Sequence, residues 1–333
     1  MNKKLKKTLT YLLFLAIGVV LFYQVYTSVD DKEKLWEDMQ SAHWIGILAS
    51  FVMGYLAIVS RGMRWLHLLE PLGYKAKSWN SIHAVAFAYF ANTFVPRSGE
   101  LARCAALNQT DDIPVDELFG TVVSERLVDF VMLALFMSIA VISNLDAFIK
   151  MSENFQLGEG GFPWPIAIAG VLFVVLFFVL RKKIAQTAFG QKVISFFKGV
   201  LNGLKSIRKM KNKGAFIAHT IFIWVMYFFM AYVIYKSVPA TQNFTVFECL
   251  FIMVAGGLGM IIPAPGGIGS YQFAVKLGFQ ALGHDGDLGF AIANIIWVVQ
   301  TGMIVITGGI AYIALLAVRL KKDKLKEESL QQP

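Results

Sequence analysis

Pro263-Ala264-Pro265-Gly266-Gly267-Ile268-Gly269 breaks an apolar stretch in the second half of the chain, and Pro96-Arg97-Ser98-Gly99-Glu100 breaks another in the first. Proline removes a backbone donor and glycine admits conformations closed to other residues, so neither stretch reads as one unbroken helix. Within a bilayer such backbone is tolerated only where protein or a water-filled cavity covers it. Each break is preceded by a span, a short or basic connection and another apolar segment, and is followed by a long span. The halves, about 1–145 and 160–320, share this hydropathy pattern with almost no residue identity. Gly/Pro-interrupted segments at corresponding places point to an inverted-repeat transporter with its site at the breaks.

The bilayer itself follows from composition. Of 333 residues, 56% are hydrophobic and 16% charged, against about 45–50% and about 25% in average chains. The mean hydropathy of +0.59 excludes a disordered or ordinary soluble chain. Two cysteines, Cys104 and Cys249, are too few for a secreted disulfide scaffold. Working outward from the breaks, apolar runs cover about 9–26, 44–60, 79–95, 114–142, 164–180, 215–235, 244–282 and 290–318. The first follows Lys3-Lys4-Leu5-Lys6-Lys7 but lacks a small-residue cleavage site, so it reads as an uncleaved span.

The formal charge of +9 is distributed in clusters that flank these runs, which fits cytoplasmic loops and not a nucleic-acid partner. Segment 181–213 holds ten Lys/Arg and no acidic residue. Phe189, Val193, Phe196, Phe197, Val200, Leu201 and Leu204 share one helical face there, so 184–211 reads as a basic amphipathic helix on an anionic lipid surface. If both broken segments cross, there are eight spans and this stretch lies outside. If both turn back, there are six, and 23 of the 31 Lys/Arg lie inside. The expectation is therefore an all-α polytopic membrane protein of six spans plus two re-entrant broken helices, an inverted repeat in one domain over 1–333. Both termini, including a tail at 319–333, are placed in the cytoplasm.

Charges inside spans cost about 2.5–3.5 kcal/mol each at a helix centre, yet the first half carries Arg61, Arg64, Arg97, Glu100, Arg103, Glu125, Arg126 and Asp129. One reading is a net-positive polar cavity for a phosphate, which matches the planar fork of arginine. The other is ion pairs that lock helices, Arg126 with Glu100 for example, with Arg61 and Arg64 snorkelling at the interface. The 263–269 glycines allow backbone N–H groups, and a following half-helix N-terminus, to face an anion; a packing kink is the alternative. Ser270, Tyr271 and Gln272 are the polar residues just beyond. No metal-ligand spacing joins His43, His67, His83, His219 and His284, and no cofactor is expected. Cys104 and Cys249 read as apolar fillers, and Asn294, Gln300 and Thr301 as interhelical hydrogen-bond formers. Trp36, Trp44, Trp65, Trp79 and Trp164 read as interfacial belts.

Four ordered motifs carry a resemblance. They are Arg61-Gly62-Met63-Arg64-Trp65, Asn92 to Arg103 with Pro96, Gly99 and Glu100 between, Glu125-Arg126-Leu127-Val128-Asp129, and Pro263, Pro265, Gly266, Gly267 and Gly269 of the glycine loop. Together they resemble the flippase-like integral membrane domain of lysylphosphatidylglycerol synthases, which also occurs as stand-alone proteins. Gln272 stands where many members carry Glu, so a proton-coupling carboxylate is not implied there. The aminoacyl-transferring soluble domain is not found in this chain, so synthesis of that lipid is not expected.

The resemblance implies translocation of a lipid across the cytoplasmic membrane. The expected substrates are an anionic or aminoacylated phospholipid or a polyprenyl-phosphate lipid, held among the residues of these motifs, including Asn92 and Arg97, together with Ser270 and Gln272. The alternatives are a membrane-embedded lipid-phosphate enzyme and a scaffold for a separate lipid-modifying enzyme. Self-association as a homo-oligomer stays open.

Overall fold

A computed structural model describes residues 15–16, 18–154, 210–262 and 264–330, the backbone alone at 151–154, 326 and 330. The expected span at 164–180, Trp164, Pro263 and almost all of the expected basic helix lie outside the described residues. Every regular element among them is helical. We number α1 (Gly18–Thr27), α2 (Lys32–Gln40), α3 (Trp44–Leu69), α4 (Ser78–Phe94), α5 (Gly99–Asp111), α6 (Val115–Ser143), α7 (Leu145–Asn154), α8 (Lys213–Ser237), α9 (Val246–Gly259), α10 (Ser270–Ala281) and α11 (Gly286–Leu330). Four helices among the described residues, those over α3, α6, α8 and α11, are long and apolar enough to cross a bilayer.

The first sequence break is a sharp turn between two antiparallel helices. Val95 precedes Pro96 and is pushed to extended backbone (φ −126°, ψ 106°), which ends α4. Asn92 Oδ1 accepts the Gly99 N–H at 2.7 Å and Ser98 Oγ donates to the Val95 carbonyl at 2.7 Å, so the turn is closed by its own side chains. A Cβ on Gly99 would run into the Ala88 carbonyl and the Asn92 amide, so only glycine lets α5 come this close to α4. At the other end the Asp111 carboxylate accepts the Lys77 N–H at 3.0 Å and the Asn80 amide at 2.9 Å. Both ends of the α4–α5 hairpin thus lie together.

The second break has the same plan. A capping box starts α9, with the Glu248 N–H donating to Thr245 Oγ1 and the Thr245 N–H to Glu248. Across the base, His284 Nε2 lies 2.8 Å from Glu248 Oε1. The turn carries a short 3-10 segment at Pro265–Gly267 with Gly266 at φ +60°.

α11 shows how the hairpins are placed. Near its start Asp287 pairs with Lys276 of α10 at 2.7 Å; further along, Lys322 pairs with Asp112 at 2.6 Å and donates to the Gln109 carbonyl of α5. Those two points are about 52 Å apart at ~1.5 Å per residue. The hairpins therefore enter from opposite ends of the bundle. α3 and α8 pack antiparallel beside them, joined by the His43 N–H on the Ser237 carbonyl at one end and Arg64 on Thr220 towards the other.

Three boundaries differ from the sequence reading. α3 continues to Leu69, so Arg61 and Arg64 lie inside a helix and are buried in ion pairs, which rules out the snorkelling alternative for them. Pro114 is the cap before α6 rather than its first residue. α11 runs unbroken through most of the expected tail. Trp65 is a correction too. It is fully buried, its Nε1 donating to Thr121 Oγ1 at 2.8 Å, whereas Trp36, Trp44 and Trp79 are exposed as a belt requires.

Candidate functional site

The charged residues of the first half converge from three helices. Arg61 and Arg64 lie one turn apart on α3, Glu100 and Arg103 are i,i+3 on α5, and Glu125, Arg126 and Asp129 share α6. Glu125 is at the centre and has no exposure. Its carboxylate lies 3.0 Å from Arg64 Nη2, 2.9 Å from Arg103 Nη1 and 3.6 Å from Arg61 Nε. Asp129 takes Arg61 Nη2 at 2.7 Å and Arg64 Nη2 at 2.9 Å. Glu100 joins Arg103 Nε at 2.9 Å to Arg126 Nη2 at 2.8 Å. The ion-pair reading is what these distances describe, including the Arg126–Glu100 pair. Four arginines meet three carboxylates, so the cluster keeps one positive charge in excess.

Aromatic rings enclose it. The Arg103 guanidinium lies 4.8 Å from the Trp65 ring centre, and that of Arg61 lies 5.9 Å from the rings of both Tyr89 and Tyr227. The two tyrosine hydroxyls are 2.8 Å apart, joining α4 to α8. These tyrosines, Trp65 as a partner and Thr220 were not singled out from sequence. A lone aromatic in an apolar helix looks the same whether it faces lipid or a guanidinium.

Two cavities adjoin this network. One, of about 90 Å³, is lined by Arg61, Arg103, Arg126, Glu100, Tyr89 and Asn92 together with Val85 and Ala88. The other, of about 380 Å³, is mainly apolar and is lined by both hairpin turns: Asn92, Thr93, Pro96 and Arg97 from the first, Met260, Ile262, Ala264, Gly266 and Gly267 from the second. Tyr227, Met230, Trp297 and Gln300 are among the other residues of its wall. Tyr89 and Asn92 belong to both cavities. The two interrupted segments therefore meet. A Cβ on Gly266 would sit 4.0 Å from Thr93 Cγ2, and the Gly266 carbonyl accepts Trp297 Nε1 at 2.8 Å.

The remaining sequence candidates are placed less simply. Arg97 sits exposed at the first turn with φ +63°, a left-handed backbone that a non-glycine residue adopts at a cost of about 1–2 kcal/mol. Much of the glycine loop is bonded to itself: Gly267 N–H donates to the Ala264 carbonyl, Ile268 N–H to that of Pro265, and Gly269 N–H to Gln272 Oε1. Ser270 donates to the Gly267 carbonyl, and Gln272 donates to Asn294. Both are fully buried, so they shape the loop from behind. Pro265 is buried in the turn. Among the described residues no group of three or more His, Cys, Asp or Glu is arranged to hold a metal.

Comparison with known proteins adds two findings. Residues 11–308 match the family described as the lysylphosphatidylglycerol synthase TM region. A UPF0104 membrane protein of Methanocaldococcus jannaschii is 21% identical over 347 residues, 98% of this chain and 99% of that protein.

Proposed function

The chain belongs to the lysylphosphatidylglycerol synthase transmembrane-region family, and on that premise we propose that it moves a lipid across the cytoplasmic membrane. The substrate class is an anionic or aminoacylated phospholipid or a polyprenyl-phosphate lipid. The observation that carries this reading is the contact between the two hairpin turns, with an arginine-lined chamber on one side of Tyr89 and Asn92 and an apolar one on the other. A lipid needs both environments at once. Arginine forks suit the phosphate oxygens, and the apolar wall suits the first carbons of the chains. Hairpins entering from opposite ends allow release to either side by rocking one half against the other, as inverted repeats do.

The test is transport in sealed vesicles containing the purified protein and a labelled anionic phospholipid. Lipid should move to the far leaflet faster than in protein-free vesicles. Arg97→Gln should lower that rate roughly tenfold, the equivalent of one charge-assisted contact, with an unchanged melting temperature, because Arg97 is exposed at the turn and lines the apolar chamber. Movement no faster than in empty vesicles would remove the reading.

In this arrangement α1, α3, α6, the 164–180 segment, α8 and α11 cross the bilayer, and the α4–α5 and α9–α10 hairpins turn back within it. Segment 181–213 and both termini then face the cytoplasm. Single cysteines placed in 181–213, in a background without the buried Cys104 and Cys249, should resist an impermeant thiol reagent in intact cells and react after lysis. Labelling before lysis would favour eight crossings.

A further inference from the structure

Two tyrosines stand where the chambers adjoin. Tyr89 of α4 lines both chambers and Tyr227 of α8 lines the apolar one. Their hydroxyls are 2.8 Å apart, and either can be the donor. Such a pair has two protons, and only one of them can lie between the oxygens. Among the described residues no acceptor takes the other. Both side chains are half-buried, so the pair is not sealed inside a core.

The same bond holds the first hairpin. Near its base α4 is pinned to α3, where Ser81 Oγ donates to the Gly62 carbonyl at 2.7 Å and a Cβ on Gly62 would run into the Ile82 backbone. Tyr89 lies about two turns further along α4 and ~9 Å short of its end at Val95, at ~1.5 Å per residue. The tyrosine pair therefore ties the tip half of the hairpin to α8, close to where the two turns meet.

A phosphate oxygen is the chemistry that displaces this tie. A hydrogen bond between neutral hydroxyls is roughly half as strong as one from a hydroxyl to an ionised oxygen. The Arg61 guanidinium lies 5.9 Å from the centre of each ring, and Arg61 also lines the small chamber. The charge cluster around it has one positive charge in excess, which draws an anion towards this place.

We propose that the Tyr89–Tyr227 pair is at once a ligand of the phosphate and a latch on the first hairpin: both hydroxyls turn to donate to the oxygens of one phosphate, their own bond breaks, and the hairpin tip is freed from α8. The inference rests on the lipid-moving reading and deepens it, because the arrival of the substrate itself loosens the element that must move. It needs the phosphate and nothing of its substituent, so it applies to each lipid class named above.

Binding tests it apart from transport. Tyr89→Phe, Tyr227→Phe and the double variant are purified in detergent, and dissociation constants for dihexanoyl phosphatidylglycerol are read from shifts in melting temperature. The parent breaks its latch and gains two contacts. Either single variant has no latch to break and gains one contact; the double variant gains none. Each single substitution should therefore weaken binding only about threefold, and the double about thirtyfold, well above the roughly ninefold product of the singles. That excess is the tyrosine–tyrosine bond lost on binding. A double variant that binds no more weakly than either single makes the pair a helix tie only and overturns the proposal. A merely additive loss overturns the latch.

The double variant leaves no hydroxyl unpaired, so it should fold at least as well as the singles. If it does not fold, the singles decide: no loss in either, or an equal loss for dihexanoylglycerol, which has the chains without the phosphate, overturns the proposal. The sn-glycerol 3-phosphate arm separates a lipid from a soluble phosphate. Binding to the parent as tight as that of the phospholipid, with the same pattern of losses, overturns the lipid part. If the double variant shows the excess and vesicles move no lipid, the pair stands and the transport reading falls. If vesicles move lipid and the excess is missing, transport stands and the latch falls.

Discussion

Glu125→Gln is expected to destabilise the protein by about 3–5 kcal/mol, the usual penalty for removing one partner of a buried ion pair. Glu125 is fully buried and has Arg61, Arg64 and Arg103 within 3.6 Å. The amide keeps the shape and loses the charge. Three buried guanidinium groups then share Glu100 and Asp129, and the excess positive charge of the cluster rises from one to two. Thermal unfolding in detergent should show the loss, and membrane abundance should fall with it. Glu125→Gln combined with Arg64→Gln restores the charge balance. Arg64 lines neither cavity and holds Thr220 on α8 at 3.2 Å, so the double variant should recover part of the stability through a coupling of about 0.5–3 kcal/mol. A single variant that melts within about 1 kcal/mol of the parent would mean that water or lipid reaches Glu125 and that the cluster is not the lock described above.

That experiment concerns the part of the protein most legible in its sequence. Charges in apolar stretches stand out because lipid penalises them, and Arg61, Arg64, Glu100, Arg103, Glu125, Arg126 and Asp129 do converge. What sequence left open was whether they bind a ligand or one another. Spacing along a helix says which residues share a face, but not which face another helix covers. The breaks were legible for the same reason: proline and glycine act through backbone alone, so Val95-Pro96 and Pro265-Gly266-Gly267 announce turns without tertiary information. Their consequences were less visible. The glycine loop offers N–H groups by composition, yet three of them close the loop on itself through Ala264, Pro265 and Gln272. Tyr89, Tyr227 and Trp297 were missed because an aromatic residue is at home in lipid, in a core and against a cation. Arg61 and Arg64 were placed at a helix end because hydropathy falls there, although α3 continues through them by pairing them with α6.

Cross-linking the two turns is expected to stop transport completely and reversibly. Thr93 lies in the last turn of α4 and Gly266 at the tip of the second hairpin, and a Cβ built on Gly266 comes 4.0 Å from Thr93 Cγ2. Thr93 Cβ itself lies farther away than that, towards or past the upper edge of the ~3.5–4.5 Å between the Cβ atoms of a disulfide, so a small approach of the two turns closes the bond. Thr93→Cys with Gly266→Cys, in a background lacking Cys104 and Cys249, should therefore oxidise as the turns fluctuate. Gly266 has φ +60°, so its cysteine carries about 1–2 kcal/mol of backbone strain; the Gly266→Cys single variant measures that effect separately. If lipid passes between the hairpins, the reduced double variant should transport like the single one, the oxidised form should fall to the rate of protein-free vesicles, and reductant should restore it. A cross-link that forms and leaves transport unchanged would show that the turns need not separate, placing the path elsewhere. Failure to cross-link under conditions that oxidise a surface pair would show that the turns do not meet in the membrane. The argument for movement is mechanical: the first turn is anchored through Asp111 at one end of the bundle and the second through Glu248 and His284 at the other. A bond between their tips ties the two anchored halves together where they must part.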